Sequence, residues 1–285
     1  MSVRCIDPKV IENTVMDLCI EANTVLRPDI LKGIEDLYQS EKDNTPAKGM
    51  LKILLENAEI AQRDKLAICQ DTGMVAVFID IGNDAVIQVR GGSLVEAVNK
   101  GVERSYREGY FRKSVVGDPI LRDNTGTNAP AVIHIGVIDG DGIRISVMPK
   151  GFGSENKSRM AMLDPTAGTQ KIVDFCVETV RIAGPDACPP YVLGVGLGGT
   201  MEECAFLAKM ALLRPINEPN SKPHLAELER SIKEKTEALG IGIMGLGGNS
   251  TVLGVNVEEY PTHIAGLPVA VNLSCHAMRS ATAVV

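Results

Sequence analysis

The chain has 285 residues, which is long enough for one large domain or two modest ones. Apolar residues make up 45% of it and charged residues 23%, so a mainly disordered or fibrous protein is excluded. The formal net charge of −7 argues against nucleic acid as a partner, because a phosphate backbone requires a basic surface. Every apolar run is far shorter than the roughly 20 residues that cross a membrane, so no membrane segment is expected.

The N-terminus and the cysteines indicate the cellular compartment of the protein. Residues 1–30 carry charges throughout and contain no uninterrupted apolar run, so we expect no secretory signal and a cytoplasmic location. Seven cysteines, an odd number spread from Cys5 to Cys275, do not resemble the dense framework of a small disulfide-bonded fold. Reduced thiols, with metal ligation as one use, are therefore predicted. The 28 glycines indicate a backbone that closely approaches some other group.

The first 66 residues predict three helices. Each begins at a proline, at Pro8, Pro28 or Pro46, because proline suits the first helical position, where an N–H group would have no partner. Apolar side chains recur at helical spacing after each of these prolines. Residues 1–66 are thus expected to form a helical segment.

From Met74 onward, short β-rich runs alternate with helical patterns. The runs at 75–82 and 85–92 flank a Gly-Asn-Asp turn signal, which predicts a hairpin. Two further strands are predicted to pair around an Asp-Gly-Asp-Gly turn, and two more helices are predicted from their spacing. These are strands at 131–137 and 143–147 and helices at 93–108 and 165–182. The pattern predicts an α/β fold of the mixed α+β kind, with the N-terminal helical segment packed on mixed β-sheets flanked by helices.

Three of the seven cysteines stand at predicted junctions between elements. Cys69 precedes a β-run, Cys188 lies in a proline-rich turn, and Cys275 ends an apolar strand-like run. The other four are predicted to be three core thiols inside helices and one frayed terminal residue; these are Cys19, Cys176, Cys204 and Cys5 in turn. Without a C-x-x-C pair, three separated thiols do not suit a zinc ribbon. They do suit a cubane iron-sulfur cluster, in which a missing fourth ligand leaves one iron open.

Five motifs in chain order resemble those of a known family. Together they resemble the α subunit, or N-terminal half, of the iron-sulfur (class I) fumarate hydratases and L-tartrate dehydratases. The motifs are CQDTG at 69–73, NTGTNAP at 124–130, KGFGSENKS at 150–158, PDACPPYVLGVGLGGT at 185–200 and PTHIAGLPVAVNLSCH at 261–276. The resemblance implies a 4Fe-4S cluster held by Cys69, Cys188 and Cys275. It also implies a single catalytic domain over 1–285, with the cluster-binding α/β core at 67–285.

The same resemblance implies roles for residues around the open iron. Gln70 and Asp71 directly follow a cluster ligand and are expected to contact the substrate, and Asp71 is also expected to be catalytic. Arg112, in the segment YFRKS, is expected to pair with a substrate carboxylate, a task that suits a planar guanidinium.

Two further positions come from the later motifs. Gly153, chosen over Gly151, is expected to bring its backbone close to the substrate, although Phe152 replaces a glycine common in the family. His263 matches a family histidine that a neighbouring subunit supplies in a homologous single-chain enzyme. It is expected to be catalytic, as a hydrogen-bond donor or proton shuttle. His276, beside a cluster ligand, is expected to support that ligand.

The resemblance also implies a partner. Single-chain relatives carry the proton-abstracting base and further cations in a C-terminal domain, whereas this sequence ends at Val285. We therefore expect a separate β subunit that completes the site, an α2β2 heterotetramer and a small dicarboxylate substrate. The expected reaction is the reversible hydration of fumarate to (S)-malate, with the open iron as Lewis acid.

Other functions stay open from the sequence. L(+)-tartrate dehydratase shares the cluster residues and differs in how the substituent on C3 is accommodated. A non-catalytic cluster-binding or redox-sensing subunit needs no substrate contacts, and Gln70, Asp71, Arg112 and His263 argue against it. A thiol-nucleophile enzyme is disfavoured because no cysteine has an obvious paired base.

Overall fold

A computed structural model describes residues 2–285, apart from the side chains of 2–4 and 85–87. Helices and strands are interspersed along the chain. In order they are β1 (Ser2–Ile6), α1 (Pro8–Thr24), α2 (Pro28–Ser40), α3 (Pro46–Asp64), β2 (Met74–Gly82), β3 (Ala85–Val89), α4 (Leu94–Glu108), β4 (Val132–Ile138), β5 (Ile143–Lys150), α5 (Phe152–Glu155), β6 (Arg159–Leu163), α6 (Gly168–Ala183), β7 (Tyr191–Gly198), α7 (Met201–Ala211), α8 (Pro223–Glu237), β8 (Val252–Tyr260), β9 (Leu267–Ser274) and β10 (Ala281–Val284), with a 3₁₀ turn at Ile243–Gly245. Over the described residues, no helix is both long and apolar enough to span a bilayer.

The chain divides into two compact units. The first unit contains the residues through Arg27, Ala58–Gly151 and Arg279–Val285, and the second contains Pro28–Asn57 and Phe152–Met278. The single-domain organisation implied by the resemblance stays a prediction. The predicted α/β fold with mixed sheets is confirmed, since each unit has a four-stranded sheet with both parallel and antiparallel pairs.

The three predicted N-terminal helices are confirmed as α1, α2 and α3, and each begins at the expected proline. Asp7 caps α1 by accepting a hydrogen bond from the N–H of Lys9 at 2.8 Å. The prediction that Cys5 is a frayed terminal residue is wrong. Cys5 lies in β1, whose backbone pairs in parallel with β3 and so holds the residues before Asp7.

Two predicted strand pairings are also wrong. β2 pairs with β4 and β5 in a sheet of order β10-β5-β2-β4, whereas β3 pairs with β1. The expected partners β4 and β5 are separated because β2 lies between them, parallel to β4 and antiparallel to β5. The physical reason is burial: β2 is apolar and buried along most of its length, so both of its edges must be paired inside the sheet.

The core of the first unit lies between its four-stranded sheet and the helix pair α1 and α4. Fully buried side chains on these elements include Ile11, Val77, Val98 and Ile145, each contributing roughly 1.5–3 kcal/mol of hydrophobic stabilisation. The two helices meet at Gly101, where a Cβ would come within 2.6 Å of the carbonyl oxygen of Glu12. This close packing positions α4 beside the loop that precedes β2.

The second unit is built around β7, the strand within LGVGLGG. Its sheet has the order β6-β9-β7-β8, with β7 antiparallel to β9 and parallel to β8. Large side chains alternate with glycines along β7, and the large ones join the core that includes α6 and α8. On the other face a Cβ at Gly194 or Gly196 would lie 2.0 or 2.1 Å from a carbonyl oxygen of α7. For these two glycines the group that the backbone closely approaches is helix α7.

Candidate active site

The predicted site residues are divided between the two units. Those in the first unit are Cys69, Gln70, Asp71 and Arg112, and those in the second are Gly153, Cys188, His263 and Cys275. In each unit these residues lie on loops that the strands position, apart from Gly153, which lies in the short helix α5. The roles implied for them stay predictions, and the following contacts show how each is held.

The CQDTG motif forms the loop between α3 and β2. The Sγ of Cys69 lies 3.3 Å from Oε1 of Gln70, and Oδ1 of Asp71 accepts a hydrogen bond from the N–H of Gly73 at 3.0 Å. The second bond closes a local turn that orients the carboxylate. Gly73 has φ +77°, and a Cβ there would lie 2.7 Å from the main chain of Lys150, so only glycine fits. Three successive residues thus present a thiol, an amide and a carboxylate.

Two buried side chains hold the end of this loop. The Tyr106 hydroxyl donates to the carbonyl oxygens of Thr72 and Gly73, with the second oxygen at 3.1 Å. Burial raises the pKa of Tyr106, which keeps the hydroxyl protonated as a donor. Asn128 Nδ2 donates to the same Gly73 oxygen at 3.1 Å, while its Oδ1 accepts from the N–H of Ser114 at 2.7 Å. Tyr106 and Asn128 thus support the candidate site loop, and the sequence analysis assigned them no role.

Arg112 is attached to the same network through its main chain. Thr72 Oγ1 donates to the carbonyl oxygen of Arg112 at 2.7 Å, and the Arg112 side chain is exposed. An accessible guanidinium on a fixed backbone suits the pairing with a carboxylate that was predicted for it. The local signal for this arrangement is the NTGTNAP motif, because its Asn128 fixes the segment that follows Arg112.

The two candidate glycines differ in their surroundings. A Cβ at Gly151, at the end of β5, would lie 3.2 Å from Oδ2 of Asp71 and 3.4 Å from Nη2 of Arg279. A Cβ at Gly153 would have no atom of the described residues within 4 Å apart from its chain neighbours and the backbone of its own helix. Contact between Gly153 and substrate stays a prediction. Of the two glycines, Gly151 is the one that lies close to the Asp71 carboxylate.

The antiparallel pairing of β7 with β9 brings two of the three predicted ligands to one end of the second sheet. Val192 at the start of β7 pairs with Ser274 at the end of β9, so the turn before β7 and the residues after β9 are neighbours. The N–H of His276 donates to the carbonyl oxygen of Cys188 at 3.3 Å, and its Nδ1 lies 3.1 Å from that oxygen. Cys188 and Cys275 are both half-buried.

The Cys188 turn has an unusual backbone. Cys188 has φ +58°, a region that costs about 1–3 kcal/mol for a residue with a side chain. The turn is held by the Cys188 N–H donating to the oxygen of Pro185 at 3.2 Å and by the Met244 N–H donating to Pro189 at 2.8 Å. A strained conformation maintained by such contacts is typical of a functional position.

The KGFGSENKS motif is connected to β9 by its polar residues. Asn272 Nδ2 donates to Oε2 of Glu155 at 3.0 Å and to Oγ of Ser158 at 3.1 Å. Ser158 Oγ also accepts from the N–H of Leu273 at 3.2 Å. These bonds fix the motif against the strand that leads to Cys275.

His263 lies at the opposite end of β9 from Cys275. The strand has eight residues, so its two ends are about 25 Å apart. His263 is exposed, and its Nδ1 accepts a hydrogen bond from the N–H of Ala265 at 3.1 Å, which leaves Nε2 as the ring nitrogen that can act as a donor. Within the second unit, His263 is therefore separated from both cysteines.

The remaining cysteines behave as packing residues. Cys19, Cys176 and Cys204 are buried, as predicted, and no disulfide links any of the seven cysteines in the described chain. Burial raises the pKa of Cys19 and Cys176 to about 12 and that of Cys204 to about 11, so these thiols stay protonated at neutral pH. Within either unit, the described residues contain no group of three or more His, Cys, Asp or Glu side chains that could hold a metal ion.

Comparison with known proteins identifies the family. The family model described as "Fumarate hydratase (Fumerase)" matches residues 12–284. A Methanocaldococcus jannaschii protein provisionally named L(+)-tartrate dehydratase subunit alpha is 38% identical over 279 residues, which cover 95% of this chain and 96% of that protein. The L(+)-tartrate dehydratase subunit alpha of Escherichia coli O157:H7 is 31% identical over 266 residues, covering 92% of this chain and 86% of that subunit. The chain therefore belongs to the fumarate hydratase (Fumerase) family of hydro-lyases.

Proposed function

We propose that this chain is the cluster-binding α subunit of a hydratase that interconverts fumarate and (S)-malate. The observation that carries the proposal is the CQDTG loop, which presents a thiol, an amide and an oriented carboxylate on successive residues. The match of the fumarate hydratase family model over residues 12–284 supports the reaction class.

The cysteines fit a 4Fe-4S cluster with three protein ligands. Cys69, Cys188 and Cys275 are half-buried and lie outside helices and strands, whereas Cys19, Cys176 and Cys204 are buried. A thiolate ligand requires access and deprotonation, and burial raises the pKa of the thiols in the second set, so the first set is favoured. When bound, such a cluster supplies an iron with an open coordination position, which acts as a Lewis acid toward substrate oxygens.

The chain's own residues bind and orient the substrate in this proposal. The Gln70 amide hydrogen-bonds a substrate oxygen, and the Arg112 guanidinium forms paired hydrogen bonds with a substrate carboxylate. The Asp71 carboxylate, oriented by the Gly73 N–H at its Oδ1, holds the proton that accompanies the departing hydroxyl group.

We further propose that His263 serves the active site of a second copy of the chain. The support is its position about 25 Å along β9 from Cys275, beyond the reach of a side chain. Two such chains with two β subunits form an α2β2 assembly, and the names of the relatives as alpha subunits support a β partner. Accessible thiols suit a reducing compartment, so we propose that the assembly is cytoplasmic.

L(+)-tartrate is the second candidate substrate. The names of the Methanocaldococcus jannaschii and Escherichia coli relatives favour it. Tartrate carries an additional hydroxyl group at C3, so the two substrates differ at one position in the site. The three proposed cluster ligands and Arg112 would serve both.

Co-expression with the β subunit of the same organism, followed by anaerobic purification, tests the function. We expect the complex to hydrate fumarate, and the Asp71→Asn variant to lose about 10²–10⁴-fold in kcat, because the oriented proton acceptor is removed. Asp174→Asn, on the exposed face of α6, is the matched control and should keep full activity. If the complex turns over L(+)-tartrate but not fumarate, tartrate replaces fumarate as the substrate. If it turns over neither, the proposal is contradicted.

A further inference from the structure

Arg279 is a buried arginine to which the proposed mechanism gives no role. It lies four residues after Cys275, belongs to the first unit and is only 3% exposed. Its Nη2 donates to the carbonyl oxygen of Asp71 at 2.8 Å, and its Nη1 donates to Oδ1 of Asn23 at 3.2 Å. Burying a guanidinium costs free energy. A buried arginine with so few contacts therefore indicates a position where the charge and the planar shape of the side chain matter.

Asn23 connects Arg279 to the other end of the CQDTG loop. The main-chain oxygen of Asn23 accepts a hydrogen bond from the N–H of Ile68 at 2.9 Å. Its side-chain Nδ2 donates to the oxygen of Cys19 at 3.0 Å, which fixes the amide to helix α1. Asn23 is fully buried, so these bonds do not compete with solvent. The loop is therefore held at Ile68 by Asn23 and at Asp71 by Arg279.

The two points of attachment enclose the residues that carry the chemistry. Cys69 and Gln70 lie between them, and Asp71 bears the second. The guanidinium of Arg279 and the carboxylate of Asp71 both approach Gly151, where a Cβ would lie 3.4 and 3.2 Å from them. Arg279 therefore contacts the main chain of Asp71 and places a positive charge on the same side as its carboxylate. Lysine could not reproduce this, because a point charge cannot make two hydrogen bonds in a fixed planar geometry.

We propose that Arg279 is a positioning residue that, together with Asn23, holds residues 68–71 in the geometry that presents the thiol, amide and carboxylate. The inference rests on the proposed function only for its effect on turnover. The effect on the structure of the loop does not depend on the reaction and can be measured on this chain without substrate.

Amide hydrogen exchange on the full chain tests this role without substrate. In Arg279→Ala, the N–H groups of Ile68 and Gly73 should exchange at least about tenfold faster, because the two charge-assisted hydrogen bonds of Arg279 are lost. Arg279→Lys should give a smaller acceleration at the same positions. The control is Arg104→Gln, which removes an arginine paired with Glu12 at 2.6 Å in the same unit and should leave the loop unchanged.

Several outcomes would overturn the proposal. The proposal is wrong if the loop exchanges at the rate of the unmodified chain in both Arg279 variants. It is also wrong if exchange accelerates uniformly throughout the first unit. If Arg279→Ala does not fold, Arg279→Lys and Asn23→Ala decide. Asn23→Ala removes the side-chain oxygen that accepts from Arg279, so it should also accelerate exchange at Gly73. In the complex with the β subunit, Arg279→Lys should lower kcat more than it raises KM, because the loop's orientation is lost and Arg112 is retained. If the complex is active and the Arg279 variants exchange normally, the positioning role is refuted and the proposed reaction stands. If the unmodified complex is inactive, only the proposed reaction is refuted.

Discussion

At the scale of single residues, Asn128 joins two segments of the candidate site. Its side-chain amide bonds the oxygen of Gly73 at 3.1 Å and the N–H groups of Ser114 and Val115 at 2.7 and 3.3 Å. Asn128 is fully buried and has φ +66°, which asparagine tolerates better than most residues. The NTGTNAP motif therefore fixes the geometry of its neighbours.

Replacing Asn128 should destabilise the fold. In Asn128→Ala, two N–H groups and one carbonyl oxygen lose a partner inside the protein, so the free energy of unfolding should fall by about 3 kcal/mol or more. Asn128→Asp keeps the acceptor for Ser114 and Val115 and should cost less than Asn128→Ala. Urea unfolding measures the difference, and a loss below about 1 kcal/mol in Asn128→Ala would contradict the assigned contacts.

The buried thiols predict a dependence of stability on pH. Folding raises the pKa of Cys176 from its ordinary 9.0 to about 12, because burial disfavours the thiolate. The protonated thiol is therefore favoured in the folded state, so stability is unaffected below about pH 9 and falls as the pH rises from 9 toward 12. Unfolding measured between pH 8 and 10.5 should show a shallower decline for Cys176→Ala. An equal decline in both proteins would show that Cys176 is not the group responsible.

The sequence separates the half-buried junction cysteines from the buried ones but does not reveal what supports the site loop. Junction positions distinguish Cys69, Cys188 and Cys275 from the buried thiols by local pattern alone. Asn23 and Arg279 have no local signal, because they act through hydrogen bonds to residues that are distant in the chain. Such contacts depend on the tertiary arrangement.

At the scale of elements, the motif that contains β7 has parts with different structural roles. The PDACPPYVLGVGLGGT string begins with the Cys188 turn at one end of the sheet and continues through the whole strand. Its glycines at 194 and 196 face α7, and its far end contacts Thr262, whose Oγ1 donates to the oxygen of Gly199 at 3.0 Å. Only the first part of the motif lies with the candidate ligands.

A pair of glycine substitutions tests this division. Gly196→Ala would place a Cβ 2.1 Å from the carbonyl oxygen of Cys204, so α7 must move and the second unit should be strongly destabilised. Gly49→Ala is the matched control, because its Cβ in α3 would meet no described atom within 4 Å. It should raise stability by about 0.5–1 kcal/mol through helix propensity. Thermal unfolding compares them, and similar melting temperatures would contradict the close packing of α7.

The helices were more predictable from sequence than the strand pairings. Proline at the first turn and apolar spacing are local signals, and they mark the starts of α1, α2 and α3. The partners of β2 depend on which distant strands can pair with its two buried edges, and the turn after Gly82 carries no such information.

At the scale of the whole molecule, the proposed cluster ligands come from two compact units. Cys69 belongs to the first unit, and Cys188 and Cys275 belong to the second. The polypeptide passes from one unit to the other between Gly151 and Phe152, inside KGFGSENKS, and again between Met278 and Arg279, just after Cys275. One of the motifs that carry the resemblance thus contains a connection between the units, and another ends two residues before a second connection.

The iron content of the full chain, reconstituted anaerobically, tests the central claim most directly. A 4Fe-4S cluster predicts about four irons per chain. Cys69→Ser, Cys188→Ser and Cys275→Ser should each lose most of this iron, and Cys176→Ser should keep it, because that thiol is buried in the core. Iron at the level of the unmodified chain in all three ligand variants would contradict the account.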